Sequence, residues 1–186
     1  ASWRAQEPQG PERHQFLLLP NRDPKHRRIN SPSEIAIMRN VVDGVNGDDP
    51  DIDYMWQRPY TPHQATGILF VAHGCKHSGT DWWPHSPQDC PECLGLPEEM
   101  AIVHMARDKG LVVVSASSTD RGLGCWNNGG DGARIAKVLQ HLKETQDDLV
   151  SLPIYGLGSS SGSGLVGSTL PKALRKLRES SENGDQ

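Results

Sequence analysis

Leu152-Pro153-Ile154-Tyr155-Gly156-Leu157-Gly158-Ser159-Ser160-Ser161-Gly162 is the stretch on which the fold reading turns. Its first five residues read as a short strand, and Gly158 to Gly162 match G-x-S-x-G at the point where a helix opens. A serine presented on a sharp strand-to-helix turn needs small residues two before and two after it, because the backbone there is strained and closely packed. Ser160 is therefore the candidate nucleophile, with the N–H of Ser161 as one oxyanion donor at the start of the helix. That helix carries Leu165, Leu170, Leu174 and Leu177, and Pro171 is expected to kink or restart it. The plain alternative is a flexible Ser/Gly loop, since so biased a composition produces such pentapeptides by chance.

Upstream, apolar β-branched runs alternate with helical patterns at βαβ lengths. Gly67 to Ala72 and Leu111 to Ala116 read as strands, apolar at successive positions as in a parallel sheet buried on both faces. Helices are expected from Pro97 to Lys109, with Glu98 and Glu99 in the first turn and Gly110 beyond the end, and from about Asp131 to Thr145. The fold class is α/β, with a mostly parallel sheet flanked by helices. The first strand ends in His73-Gly74-Cys75-Lys76-His77-Ser78-Gly79. Gly74 would let backbone approach a substrate, and the N–H of Cys75 would supply the second oxyanion donor. His73 has two readings, a base for the serine or a structural histidine holding its loop.

The order of strand, His-Gly loop, helix, strand, helix, strand, serine elbow and helix resembles the α/β-hydrolase superfamily over about Gly67 to Leu170. Within it, HGCKHSGTDWWPHSPQDCPECLGLPEEMAIV and the later Arg121 to Trp126 resemble an uncharacterised plant and algal group of hydrolase-like proteins. The resemblance implies a serine hydrolase of the esterase, lipase or peptidase type, with a nucleophile, a histidine and an acid. It matches Ser160 to the nucleophile and Gly74 with Cys75 to the oxyanion loop. The acid and histidine of that family follow the nucleophile, whereas the 26 residues after Ser160 hold no histidine, and Asp185 is in a polar tail. All eight histidines (His14, His26, His63, His73, His77, His85, His104 and His141) precede the serine. His73 and His77, at the carboxyl end of the sheet, are the candidate bases. The chain thus reads as a truncated hydrolase, a hydrolase completed by a partner, or a scaffold that does not catalyse.

Composition sets the remaining bounds. Residues 1–66 hold eight of the 14 prolines but three of the 19 glycines, and 67–170 hold 15 glycines. The expected division is a proline-rich arm over 1–66, the hydrolase-like core over 67–178 and a polar tail over 179–186. In the arm, Gln15 to Leu19 reads as a short strand. Ser31-Pro32-Ser33-Glu34 is a capping box that predicts a helix from Pro32 to about Asp43, closed by Gly44, and Asn46 to Pro62 reads as irregular. A net charge of −4 without a basic block argues against nucleic acid. No apolar run approaches the ~20 residues of a spanning helix. The chain starts at Ala1 without an apolar signal segment, so it is expected to be a processed form or a portion of something longer.

Four cysteines, Cys75, Cys90, Cys93 and Cys125, fit two disulfides with three possible connectivities, which would pin the loops and imply a secretory or other oxidising compartment. Inert thiols and a zinc site built on Cys90-Pro91-Glu92-Cys93 are the competitors. A thioredoxin-like role fits worse, because that motif should open a helix directly after a strand. Gly162 to Gly167 spell G-x-G-x-x-G inside a helix, where no dinucleotide would be held, and no P-loop occurs, so no cofactor is expected. Trp82, Trp83, Arg121 and Trp126 are candidate pocket residues, with loop and core packing as the alternative. Lys172, Arg175, Lys176 and Arg178 read as a solvated helix end. The expected substrate is a small-molecule or peptide ester, thioester or amide. The rival is a non-catalytic subunit that docks on a larger complex, with a protein partner covering the open sheet edge.

Overall fold

A computed structural model describes residues 35–42, 52–61, 65–87, 90–127 and 129–183. β3 (Gly67–Ala72) and β4 (Leu111–Ala116) form where the apolar runs predict them, and pair in parallel from Gly67 opposite Leu111 to Val71 opposite Ser115. β5 (Ile154–Gly158) pairs in parallel with the other edge of β3, with Ala72 opposite Gly158. Side chains alternate across this sheet. Ile68, Phe70, Ala72, Val112 and Val114 pack on one face against Ile135, Val138, Leu139 and Leu142 of α2 (Asp131–Thr145). Leu69, Val71 and Val113 pack on the other face against Val103 and Ala106 of α1 (Pro97–Asp108). Strands covered on both sides have no polar face to show, which is why β3 and β4 are apolar at successive positions, the one exception, Ser115, donating its hydroxyl to the Gly79 carbonyl.

α1 begins at Pro97, with Glu98 and Glu99 in its first turn, and Gly110 follows it at φ 81°. This arrangement suits the helix dipole and the left-handed exit. The helix after the elbow is α3 (Ser161–Gly164), a π turn over Leu165–Thr169, and α4 (Leu170–Asn183). The wider π turn accommodates Pro171, which has no N–H to donate and would crowd the preceding turn of an unbroken α-helix. α4 continues through residues 179–183, the start of the expected polar tail.

The expected helix over 32–43 is corrected by the structure. Ile35–Val42 is a strand, β1, paired antiparallel with β2 (Ile52–Gln57), which lies in the stretch read as irregular. β2 also pairs antiparallel with β4, giving among the described residues a five-stranded sheet of order β1-β2-β4-β3-β5 in which β2 alone is reversed. Ile35-Ala36-Ile37-Met38 is apolar at every position, and a short run of that kind fits a buried strand as well as a helix face. Its β-branched residues and an available edge on β2 favour the strand. Tyr54 and Trp56 reach the α2 side of the core and Met55 the α1 side. The expected strand at Gln15–Leu19 and the capping box at 31–34 lie outside the described residues.

Candidate active site

The chain leaves β3 toward α1 on one face of the sheet and leaves β5 toward α3 and α4 on the other. Two adjacent parallel strands whose connections diverge in this way open a crevice at their carboxyl ends. Ser160 lies at that point, exposed, with φ 50° and ψ −116°. A non-glycine residue in this conformation is held by its surroundings at a cost of about 1–3 kcal/mol. The surroundings are visible in the two motif glycines. A Cβ on Gly158 would lie 2.3 Å from the carbonyl oxygen of Gly162, and one on Gly162 would lie 2.5 Å from that of Ala72 and 2.6 Å from that of His73. The N–H of Ser159 donates to the Ala72 carbonyl at 3.1 Å, and the N–H of Ser163 to that of Ser160 at 3.0 Å. The elbow is therefore fastened both to the end of β3 and to its own helix.

Gly74 runs beside the elbow, where a Cβ on it would be 3.5 Å from Cβ of Ser160. The structure thus brings together Ser160, Ser161, Gly74 and the start of the Cys75 loop. His73 is 3% exposed; its Nδ1–H donates to the Gly74 carbonyl at 2.7 Å and its Nε2 accepts the N–H of Ser118 at 3.1 Å. Burial lowers its pKa, partly offset by the Gly74 hydrogen bond and by Asp81, so the ring is held neutral. Both nitrogens are engaged by backbone, which corrects the reading of His73 as a base in favour of a loop-holding histidine. His77 differs. Its Nδ1–H donates to Oδ2 of Asp81 at 2.8 Å, and its side chain is 46% exposed against 3% for Asp81. Asp81 also accepts the N–H of Ser78 at Oδ2 (3.2 Å) and the Ser78 hydroxyl at Oδ1 (2.9 Å). Sequence reasoning missed Asp81, although Ser78-Gly79-Thr80-Asp81 fits the [ST]-x-x-[DE] pattern of a capped turn, here the short 3₁₀ helix Gly79–Trp82.

The tryptophans divide. Trp82 and Trp83 are 3% and 1% exposed, in the core beneath α1 with Met55, Leu69 and Val103, so their assignment to a substrate pocket is corrected. Trp83 donates from Nε1 to Oε1 of Gln57 at 3.1 Å. Trp126 remains beside the site, 6% exposed, its ring 4.7 Å from that of His73. Arg121 is exposed on the same loop. The cysteines pair as Cys75–Cys125 and Cys90–Cys93, so all four thiols are in disulfides and the C-x-x-C closes on itself. Among the described residues no group of three His, Cys, Asp or Glu side chains could hold a metal ion. No helix among them is long and apolar enough to cross a membrane.

No protein-family description matches the chain, and no curated protein matches it in sequence. Among solved structures it is similar to a highly thermostable carboxyl esterase from Bacillus coagulans, in complex with glycerol, at 18% identity and a TM-score of 0.44. It is similar also to a lipase in the open form, at 20% identity and a TM-score of 0.37. In each case 70% of this chain is covered and 38% of the other, so the chain spans well under half of the enzymes' length.

Proposed function

We propose that the chain carries the nucleophile and oxyanion loops of a serine hydrolase acting on an ester, thioester or amide of a small molecule or peptide. The observation that carries this reading is Ser160 at φ 50° between two glycines that no larger residue could replace. The Oγ of Ser160 attacks the acyl carbon, and the oxygen that becomes anionic accepts the N–H groups of Ser161 and Cys75. His77 is the base: with Nδ1–H given to Asp81, its Nε2 is the acceptor that takes the serine proton and later returns it to the leaving group. The two disulfides support an oxidising compartment such as the secretory pathway.

A second reading, a hydrolase scaffold that binds a larger protein, is favoured by one observation. Among the described residues β5 is the edge strand of the sheet, with Tyr155 51% and Leu157 36% exposed. Beside it an apolar groove of about 570 Å³ is lined by Val150, Ile154, Leu174 and Leu177. An uncovered edge of this kind pairs readily with another chain. A fluorophosphonate probe followed by mass spectrometry separates the two readings. Adduct on Ser160, lost in Ser160→Ala, is the expected result, and a folded chain that takes up no probe would leave the scaffold reading.

A further inference from the structure

We propose that Leu123–Trp126 is a positioning clamp that holds the two oxyanion donors in register. The inference rests on the hydrolase reading above and deepens it. The difficulty it answers is geometric. The donor of Cys75 and the donor of Ser161 belong to loops that follow different strands. Near the sheet those loops are joined by the N–H of Ser159 on the Ala72 carbonyl and by close packing of Gly162 on the Ala72 and His73 carbonyls and of Gly74 on Ser160. An oxyanion site works only if its donors are held within about 0.5 Å of the productive geometry.

Four consecutive residues supply a further tie, by hydrogen bonds and a disulfide. The Leu123 carbonyl accepts the N–H of Lys76 at 2.8 Å. Gly124, at φ 62°, lies so close to the Cys75 loop that a Cβ would be 3.1 Å from the His77 carbonyl oxygen and 3.2 Å from the Lys76 nitrogen. Cys125 is bonded to Cys75 itself. Trp126 donates from Nε1 to the His73 carbonyl at 2.8 Å and from its backbone N–H to Oγ of Ser161 at 3.4 Å. One short segment therefore reaches residues 73, 75 and 76 on one side and Ser161 on the other. It is anchored in turn by carboxylates. Asp120 Oδ1 accepts the N–H groups of Gly122 and Leu123, and Asp131 accepts those of Thr119 and Asn127. Trp126 and Cys125 touch no reacting atom, so they are positioning residues.

Trp126→Phe tests this, because it keeps an aromatic ring beside His73 and removes the indole N–H. Arg58→Met is the control: it too deletes buried side-chain donors, at the amino ends of the parallel strands and so at the other end of the sheet. Fluorophosphonate labelling of Ser160 is followed against probe concentration, to separate the limiting rate from the half-saturating concentration, with melting temperature recorded for each chain. Trp126→Phe should lower the limiting rate about tenfold and leave half-saturation within about twofold, as expected for misplaced transition-state donors. Arg58→Met should lower the melting temperature without changing the limiting rate. Cys125→Ser, which leaves the indole in place, should slow labelling in the same manner and serves if Trp126→Phe does not fold. Labelling of the Trp126 and Cys125 variants at the unsubstituted rate would overturn the clamp while leaving the hydrolase reading intact. An unsubstituted, folded chain that is never labelled would overturn the hydrolase reading and the clamp with it.

Discussion

At the amino ends of the parallel strands, Arg58 donates from Nη1 and Nη2 to the two oxygens of Asp148 at 2.7 and 3.0 Å, and from Nη2 to Gln146 at 3.1 Å. Arg107 donates to the Arg58 carbonyl at 2.8 Å and lies 4.1 Å over the Tyr60 ring, whose hydroxyl is hydrogen-bonded to His104. Burial pushes the pKa of Arg107 down to about 10, so it stays charged at neutral pH. At the carboxyl ends, the polar groups are held differently. His73 is locked by backbone on both nitrogens, Ser160 sits at a positive φ, and His77 gives one nitrogen to Asp81 while its ring reaches solvent. The first end turns its charges on one another, as groups that stabilise a scaffold do. The second holds a strained serine by backbone bonds and a half-exposed histidine by the Asp81 carboxylate, and the proposed function rests on that arrangement.

This contrast can be broken most sharply at the elbow. Gly162→Ala puts a methyl group against the carbonyls of Ala72 and His73, and should cost about 3 kcal/mol in urea denaturation while abolishing labelling of Ser160. Arg58→Met at the other end removes a charged, doubly donated pair with Asp148. It should cost about 2 kcal/mol and leave the labelling rate of Ser160 unchanged. If labelling also slows, the two ends are coupled and the contrast fails. Ser160→Gly should raise stability by about 1 kcal/mol, because glycine enters the region at φ 50° without a Cβ, whereas Ser160→Ala should raise it by nothing.

The smallest expected effect is on pH dependence. Burial depresses the folded-state pKa of His73 below its value in the unfolded chain. The unfolded chain therefore binds more protons in the window between the two values. Stability contributed by neutral His73 is complete above about pH 6.5, the ordinary histidine value, and is lost as pH falls through the depressed one. Melting temperature measured from pH 7 to 5 should fall less steeply in His73→Gln than in the unsubstituted chain. Equal slopes would remove His73 from the list of buried neutral groups.

What was legible in the sequence was local. The β3 and β4 runs, the ends of α1 and α2 and the Gly158 to Gly162 elbow each announce themselves within a dozen residues, through burial on both faces, caps or tight approach. The apolar positions of residues 35–42 fit a helix face and a strand alike, and pairing with the edge of β2 selects the strand. The tryptophans show the same limit. Trp82, Trp83 and Trp126 are equally apt for a pocket by composition, yet two are core beneath α1 and one is bound to His73 and Ser161. His73 and His77 are four residues apart on one loop, and what separates their chemistry is that Ser118 occupies one ring and Asp81 the other.

By itself the sequence determined that the chain would form a βαβ core with a serine on a glycine-flanked turn, because propensity, capping and steric demand act over short spans. The tertiary structure alone decided that 35–57 would contribute two strands of the same sheet, that Cys75 would pair with Cys125, and that Trp126 would join two loops. Those outcomes depend on which strand edges, thiols and hydrogen-bonding groups meet once the layers pack, and such contacts between distant residues leave no periodic trace along the chain.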